Sequence, residues 1–144
     1  MSDRFSALLE TSVILDVLLD RSPHAIASGA LLARVESGEV RGLLAAHAVT
    51  TIHYLLRQRL QEAQAKRAVG SLLSIFGVAP VNEKVLAEAL LSDSGDYEDA
   101  VIAAAAFHAE CDFIVTRDPR GFRGSKIKVI APEAANALLA RIQD

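Results

Sequence analysis

GDYEDAVIAAAAFHAECDFIVTRD (95–118) is the stretch whose reading decides the fold. An acidic turn opens an apolar, alanine-rich helix, and the apolar run DFIVT (112–116) follows it as a strand. Asp99 sits in the helix opening and Asp118 lies just past the strand end, so one αβ unit can aim both carboxylates at one cleft. Two converging carboxylates suit a hard cation, Mg²⁺ or Mn²⁺.

Working outward, the same alternation fills the chain. FSALLE (5–10) reads as a buried strand, and VILDVLLD (13–20) as a short helix stopped near Ser22-Pro23, because a residue before proline is biased away from helix. Pro23 opens a second helix that runs through about Ser37 to Gly38, a left-handed C-cap, before the strand VRGLLAA (40–46). Two helices follow, over 49–60 and 62–76, with Gly77 as the stop before a short strand at 78–81. Asn82 caps another helix, Gly95 or Asp96 starts the one that carries Asp99, KIKVIA (126–131) forms a further strand, and Pro132 opens a terminal helix. Strands separated by helices imply an α/β architecture with a parallel sheet covered on both faces, and ligands bind such sheets beyond the carboxyl ends of the strands. Glu10, at the end of the first strand, falls on that edge together with Asp118.

Composition narrows the classes. The 144 residues suit one domain spanning 1–144, and 51% hydrophobic with 23% charged residues describes a folded globule. Cys111 is the single cysteine, so neither an intramolecular disulfide nor a CxxC site can form, and a reducing compartment fits. MSDRFSALLE has no signal-peptide pattern and no apolar run approaches a bilayer's thickness; the expectation is a cytoplasmic protein without a membrane partner. A net charge of −3 argues against a globally electropositive nucleic-acid binder.

Each acid has a competing structural role. Asp96, at a helix start, reads first as a cap; Asp118, before Pro119, could be a turn residue; Asp16, on the short first helix, reads as a solvated carboxylate. Glu10 differs, since a carboxylate ending a buried strand is costly unless paired or liganded. His24, His47, His53 and His108 show no zinc spacing.

Four segments together, LLETSVILDVLLDR (8–21), VTTIHYLLR (49–57), DYEDAVIAAAA (96–106) and IVTRDPRGF (114–122), resemble the PIN-domain family, in particular its VapC-like toxin ribonucleases. The resemblance implies a three-layer α/β/α domain with a central parallel sheet. It also implies an acidic cleft holding Mg²⁺ or Mn²⁺ and hydrolysis of RNA phosphodiesters by metal-ion catalysis. Position by position, Glu10, Asp99 and Asp118 match catalytic, metal-binding acids, with Asp96 as a further metal candidate and Glu98 beside it. Ser12 and Thr116 match polar positions around the cleft. Two departures stand out. Glu10 replaces the family's aspartate with a side chain longer by one methylene, about 1.5 Å, and Thr51 stands where a second acid is expected.

Arg117, Arg120, Arg123, Lys126 and Lys128 form a basic run suited to an RNA backbone, or equally a solvated loop and edge-strand guard. Aromatic residues make up only 5%, which gives a base-stacking platform little support. The leading expectation is a metal-dependent endoribonuclease acting as the toxin of a type II toxin–antitoxin pair, with RNA, a small antitoxin and a second copy of the chain as partners. The alternative is a degenerate PIN domain that binds RNA or protein without cutting. A phosphatase with an aspartate nucleophile is disfavoured, because LLETSV (8–13) lacks a DxD-like pair.

Overall fold

The computed structural model describes residues 4–143. Its elements run β1 (Ser6–Leu9), α1 (Thr11–Leu18), α2 (His24–Ser37), β2 (Arg41–Ala45), α3 (Ala46–Arg57), α4 (Glu62–Ile75), β3 (Gly77–Ala79), α5 (Glu83–Leu90), α6 (Tyr97–His108), β4 (Phe113–Val115), a 3-10 helix (Pro119–Phe122), β5 (Lys128–Ile130) and α7 (Pro132–Gln143). The strands pair in parallel in the order β3-β2-β1-β4-β5. Parallel neighbours cannot be joined by hairpins, so helices fill the crossovers and cover both faces.

The strand residues alternate between two cores. Ala7, Leu9, Leu44, Phe113 and Val115 face the layer built from α1, α2, α3, α4 and α7, and Leu8, Leu43, Ala45 and Ile114 face α5 and α6. Burial on both faces explains why these strands read as unbroken apolar runs. Gly42 interrupts β2 for a steric reason: a Cβ there would lie 2.7 Å from the Phe76 ring and 2.8 Å from Val35. This is the expected α/β/α sandwich.

Local signals hold at the caps and slip at some boundaries. Gly38 ends α2 at φ 87°, and the Asn82 side chain accepts from the Val85 N–H at 3.0 Å. α1 begins at Thr11 rather than Val13, because the Glu10 carboxylate itself caps it. α3 follows β2 without a loop, starting at Ala46 rather than Val49, and Gly77 belongs to β3 instead of serving as the helix stop. Among the described residues, no helix is long and apolar enough to cross a membrane.

The topology fixes where a ligand can sit. Chain order moves outward from β1 through β2 to β3, then crosses to β4 and β5, so the switch point lies between β1 and β4. Leu9 pairs with Val115, which makes Glu10 and Thr116 the next residues beyond these adjoining strand ends. A crevice at that switch point is the ligand-binding position of open parallel sheets.

Candidate functional site

Glu10, Ser12, Asp99, Thr116, Asp118 and Phe122 border one open cleft of about 660 Å³ at this edge. The first five of them are residues that the sequence and its family resemblance assign to the cleft. The Glu10 carboxylate is held from three sides: Ser12 N–H donates to Oε2 at 3.0 Å, and the hydroxyls of Ser12 and Thr116 donate to Oε1 at 2.6 and 3.1 Å. Thr116 is 1% exposed, and its Oγ1 accepts from the Asp118 N–H at 3.1 Å. The hydroxyl thus ties the ends of β1 and β4 together.

Asp99 enters from the first turn of α6. Asp96 is the N-cap, accepting from the Asp99 N–H at 3.1 Å, as its position before the helix predicts. Burial, then the charges of Asp96, Glu10, Glu98 and Asp118, push the Asp99 carboxyl up to about 7. Every contributor disfavours its anion. The loop closes directly over this group, since a Cβ on Gly121 would collide with the Asp99 carboxylate, and the Ser94 hydroxyl donates to the Gly121 carbonyl at 2.9 Å to hold the loop against the α6 entrance.

Asp118 points differently. Its Oδ1 accepts from Arg120 Nε at 3.0 Å, and that bond holds its carboxyl below the usual range. Both partners are largely exposed, so the pair can exchange with solvent or a ligand at little cost. Among the described residues, no three acidic, histidine or cysteine side chains already converge as metal ligands. The donor set is nevertheless chemically suited to a hard divalent cation: carboxylate and hydroxyl oxygens at one edge, with Asp99 repelled by all four neighbouring acids.

A second charged cluster lies beneath the cleft and corrects two expectations. Asp16 is not solvated; it is 0% exposed. Its Oδ1 accepts from Arg21 Nε at 2.9 Å and Arg117 Nη2 at 3.2 Å, and its Oδ2 accepts from Arg117 Nε. Arg117 therefore turns inward to Asp16 instead of standing free for a phosphate. Nothing in the local pattern links Asp16 to a partner 101 residues away. His47, in the first turn of α3, is partly buried: both ring nitrogens are buried without a hydrogen-bond partner, and burial holds its pKa low against the opposing charge of Glu98.

A family profile for the PIN domain matches residues 6–120. The chain belongs to the PIN-domain family. Solved structures of like fold include FitAcB from Neisseria gonorrhoeae, 24% identical over 88% of this chain and 97% of that one with a TM-score of 0.66. VapC20 from Mycobacterium tuberculosis, described as a sarcin-ricin-loop-cleaving toxin, is 16% identical over 84% and 95% with a TM-score of 0.67. DNA-bound VapBC from Salmonella typhimurium is 14% identical over 89% and 98% with a TM-score of 0.67. No curated protein matches the chain significantly.

In this PIN domain Thr51 lies on α3, where its hydroxyl donates back to the His47 carbonyl at 3.2 Å, so no carboxylate reaches the cleft from that helix position. Glu98 and Asp96 are exposed and act on Asp99 through charge. The remaining cations spread outward. Arg120 pairs with Asp118, while Arg123 and Lys126 border a second groove of about 450 Å³ that runs from Asp99 along α6 to Phe107. Lys126 Nζ lies 4.8 Å from the Phe107 ring centroid, and Lys128 is exposed on the edge strand β5.

Proposed function

We propose that this PIN domain is a divalent-metal-dependent endoribonuclease of the toxin kind, with Glu10, Asp99 and Asp118 as the acids that hold Mg²⁺ or Mn²⁺ and Asp96 in support. The carrying observation is Asp99: a half-buried carboxyl at the sheet's switch point, raised to about 7 by burial and then by the surrounding acids. A divalent ion there supplies Lewis-acid stabilisation of phosphoryl oxygens and a nucleophile at neutral pH. The protein's part is positional. Ser12 and Thr116 hold Glu10 in one orientation, Gly121 gives the loop room to close on Asp99, and Asp118, already at the cleft, can exchange its exposed Arg120 partner for a ligand.

RNA is the proposed substrate, its backbone met by Arg120, Arg123, Lys126 and Lys128 at or near the cleft margin, contacts that add affinity without reading sequence. The toxin–antitoxin complexes among the structural relatives support a small antitoxin as partner, and a cytoplasmic homodimer completes the proposal. A non-cleaving binder is the second reading, favoured specifically by Thr51 and by the absence of preformed metal ligation among the described residues. Cleavage of a mixed RNA pool in Mn²⁺, Mg²⁺ or EDTA, run beside Asp99→Asn, separates them. The nuclease reading expects metal-dependent cutting that the variant loses; a folded, antitoxin-free protein that binds RNA uncut in both metals establishes the second.

A further inference from the structure

We infer that Asp16 is a positioning residue for the cleft, acting through Arg117 and Arg21 and touching no ligand itself. The inference rests on the metal-dependent reading above for its consequence, but its geometry stands apart from it. Asp16 is wholly removed from water and faces two guanidinium groups, whose side chains are 39% (Arg21) and 31% (Arg117) exposed. A buried ion cluster of this sort is a poor device for stability, because desolvation offsets most of the attraction and an apolar cluster of similar volume serves as well. What such a cluster supplies is fixed direction, and here both arms end on the cleft.

The first arm is Arg117. It stands between Thr116, whose hydroxyl donates to Glu10, and Asp118, whose N–H donates to that hydroxyl. Its planar fork on Asp16 fixes the backbone between them in a way a lysine's single ammonium cannot. The second arm is Arg21. Its Nη2 donates to the Ser12 carbonyl at 3.1 Å, and Ser12 in turn holds both oxygens of Glu10. One carboxylate therefore braces the β1 and β4 loops from beneath, and the two guanidiniums against it leave one positive charge under a cleft crowded with acids.

The test is a double-mutant cycle on the full chain, using Asp16→Asn, Arg117→Met and the pair. Mn²⁺ binding is read by electron paramagnetic resonance, local opening by hydrogen–deuterium exchange, and folding by thermal melting. Each single variant should weaken Mn²⁺ binding by roughly 10- to 100-fold, the usual loss when a group that orients a metal ligand is removed. The pair should be no weaker than the worse single variant, since both remove the same brace. Exchange should rise in both 10–12 and 116–121 and stay unchanged in α4, and Arg117→Lys should recover only part of the loss.

Wild-type exchange at 116–121 in a folded Asp16→Asn protein, or losses that multiply in the pair, overturns the inference. Should Asp16→Asn fail to fold, Arg117→Met carries the same comparison from the solvent-reachable partner. If the unaltered protein binds no Mn²⁺ while the exchange pattern responds as described, the metal reading fails and the positioning role of Asp16 stands.

Discussion

Asp16 and Asp99 belong to the same end of the same sheet and solve opposite problems. Asp16 is fully buried yet satisfied, with two guanidiniums supplied by the chain. Asp99 is less buried, and the charges acting on it are those of Asp96, Glu10, Glu98 and Asp118, all of them acidic. Burial and the four neighbouring acids act in the same direction on Asp99, disfavouring its anion. On the proposed function, charge that the fold compensates internally serves structure, and the acidic cluster around Asp99 is where an external cation would bind.

The sharpest break of that contrast is in stability. Asp16→Asn should lower unfolding free energy by about 2–3 kcal/mol, somewhat under the ~3–5 kcal/mol of a fully buried pair, because both arginines can reach water. Asp99→Asn should act in the other direction. A carboxyl raised in the folded state contributes its full stability only below its unfolded value near 3.8, and loses it as pH rises through about 7. Urea denaturation of metal-free Asp99→Asn and the unaltered protein should therefore coincide near pH 4 and separate by pH 8, with the variant the more stable. Parallel curves at every pH would show that Asp99 is not strained by its neighbours.

A smaller effect is expected at Gly121. Gly121→Ala must push the loop off the Asp99 carboxylate, at a cost on the order of 1–2 kcal/mol in stability and roughly tenfold in cleavage, since small misplacements at a reacting centre are amplified. Unchanged cleavage in a folded Gly121→Ala protein would mean that the loop does not set the position of Asp99. The smallest expected change is Arg120→Gln. It frees Asp118 from an exposed pair, so the melting temperature should not move measurably while Mn²⁺ affinity rises. A fall in affinity would instead assign Arg120 a part in holding the cleft together.

Much of this was readable in the chain itself. Apolar runs bounded by Gly38, Asn82 and the Asp96 cap specify the alternating elements, the strand-end rule places Glu10 and Asp118 at one edge, the αβ unit aims Asp99 at it, and the family resemblance adds Thr116. Boundaries slipped where the signal was ambiguous. AAHAV (45–49) offers no capping side chain, so the junction where α3 follows directly on β2 leaves no trace in the pattern. The inner cluster was invisible for a different reason: Asp16 and Arg117 each look like ordinary surface charges, and only the β1–β4 pairing joins them. His47 likewise shows its unpartnered ring only once α3 is packed.

The central claim, that the acidic edge is a site awaiting a divalent cation, is tested most directly by calorimetric titration of the metal-free protein with Mn²⁺ at pH 6 and pH 8, counting protons released. With Asp99 near 7, binding at pH 6 should be about tenfold weaker and should release close to one proton, whereas release at pH 8 should be nearly absent. Equal affinity at both pH values without proton release, or no Mn²⁺ binding at all, would contradict the account.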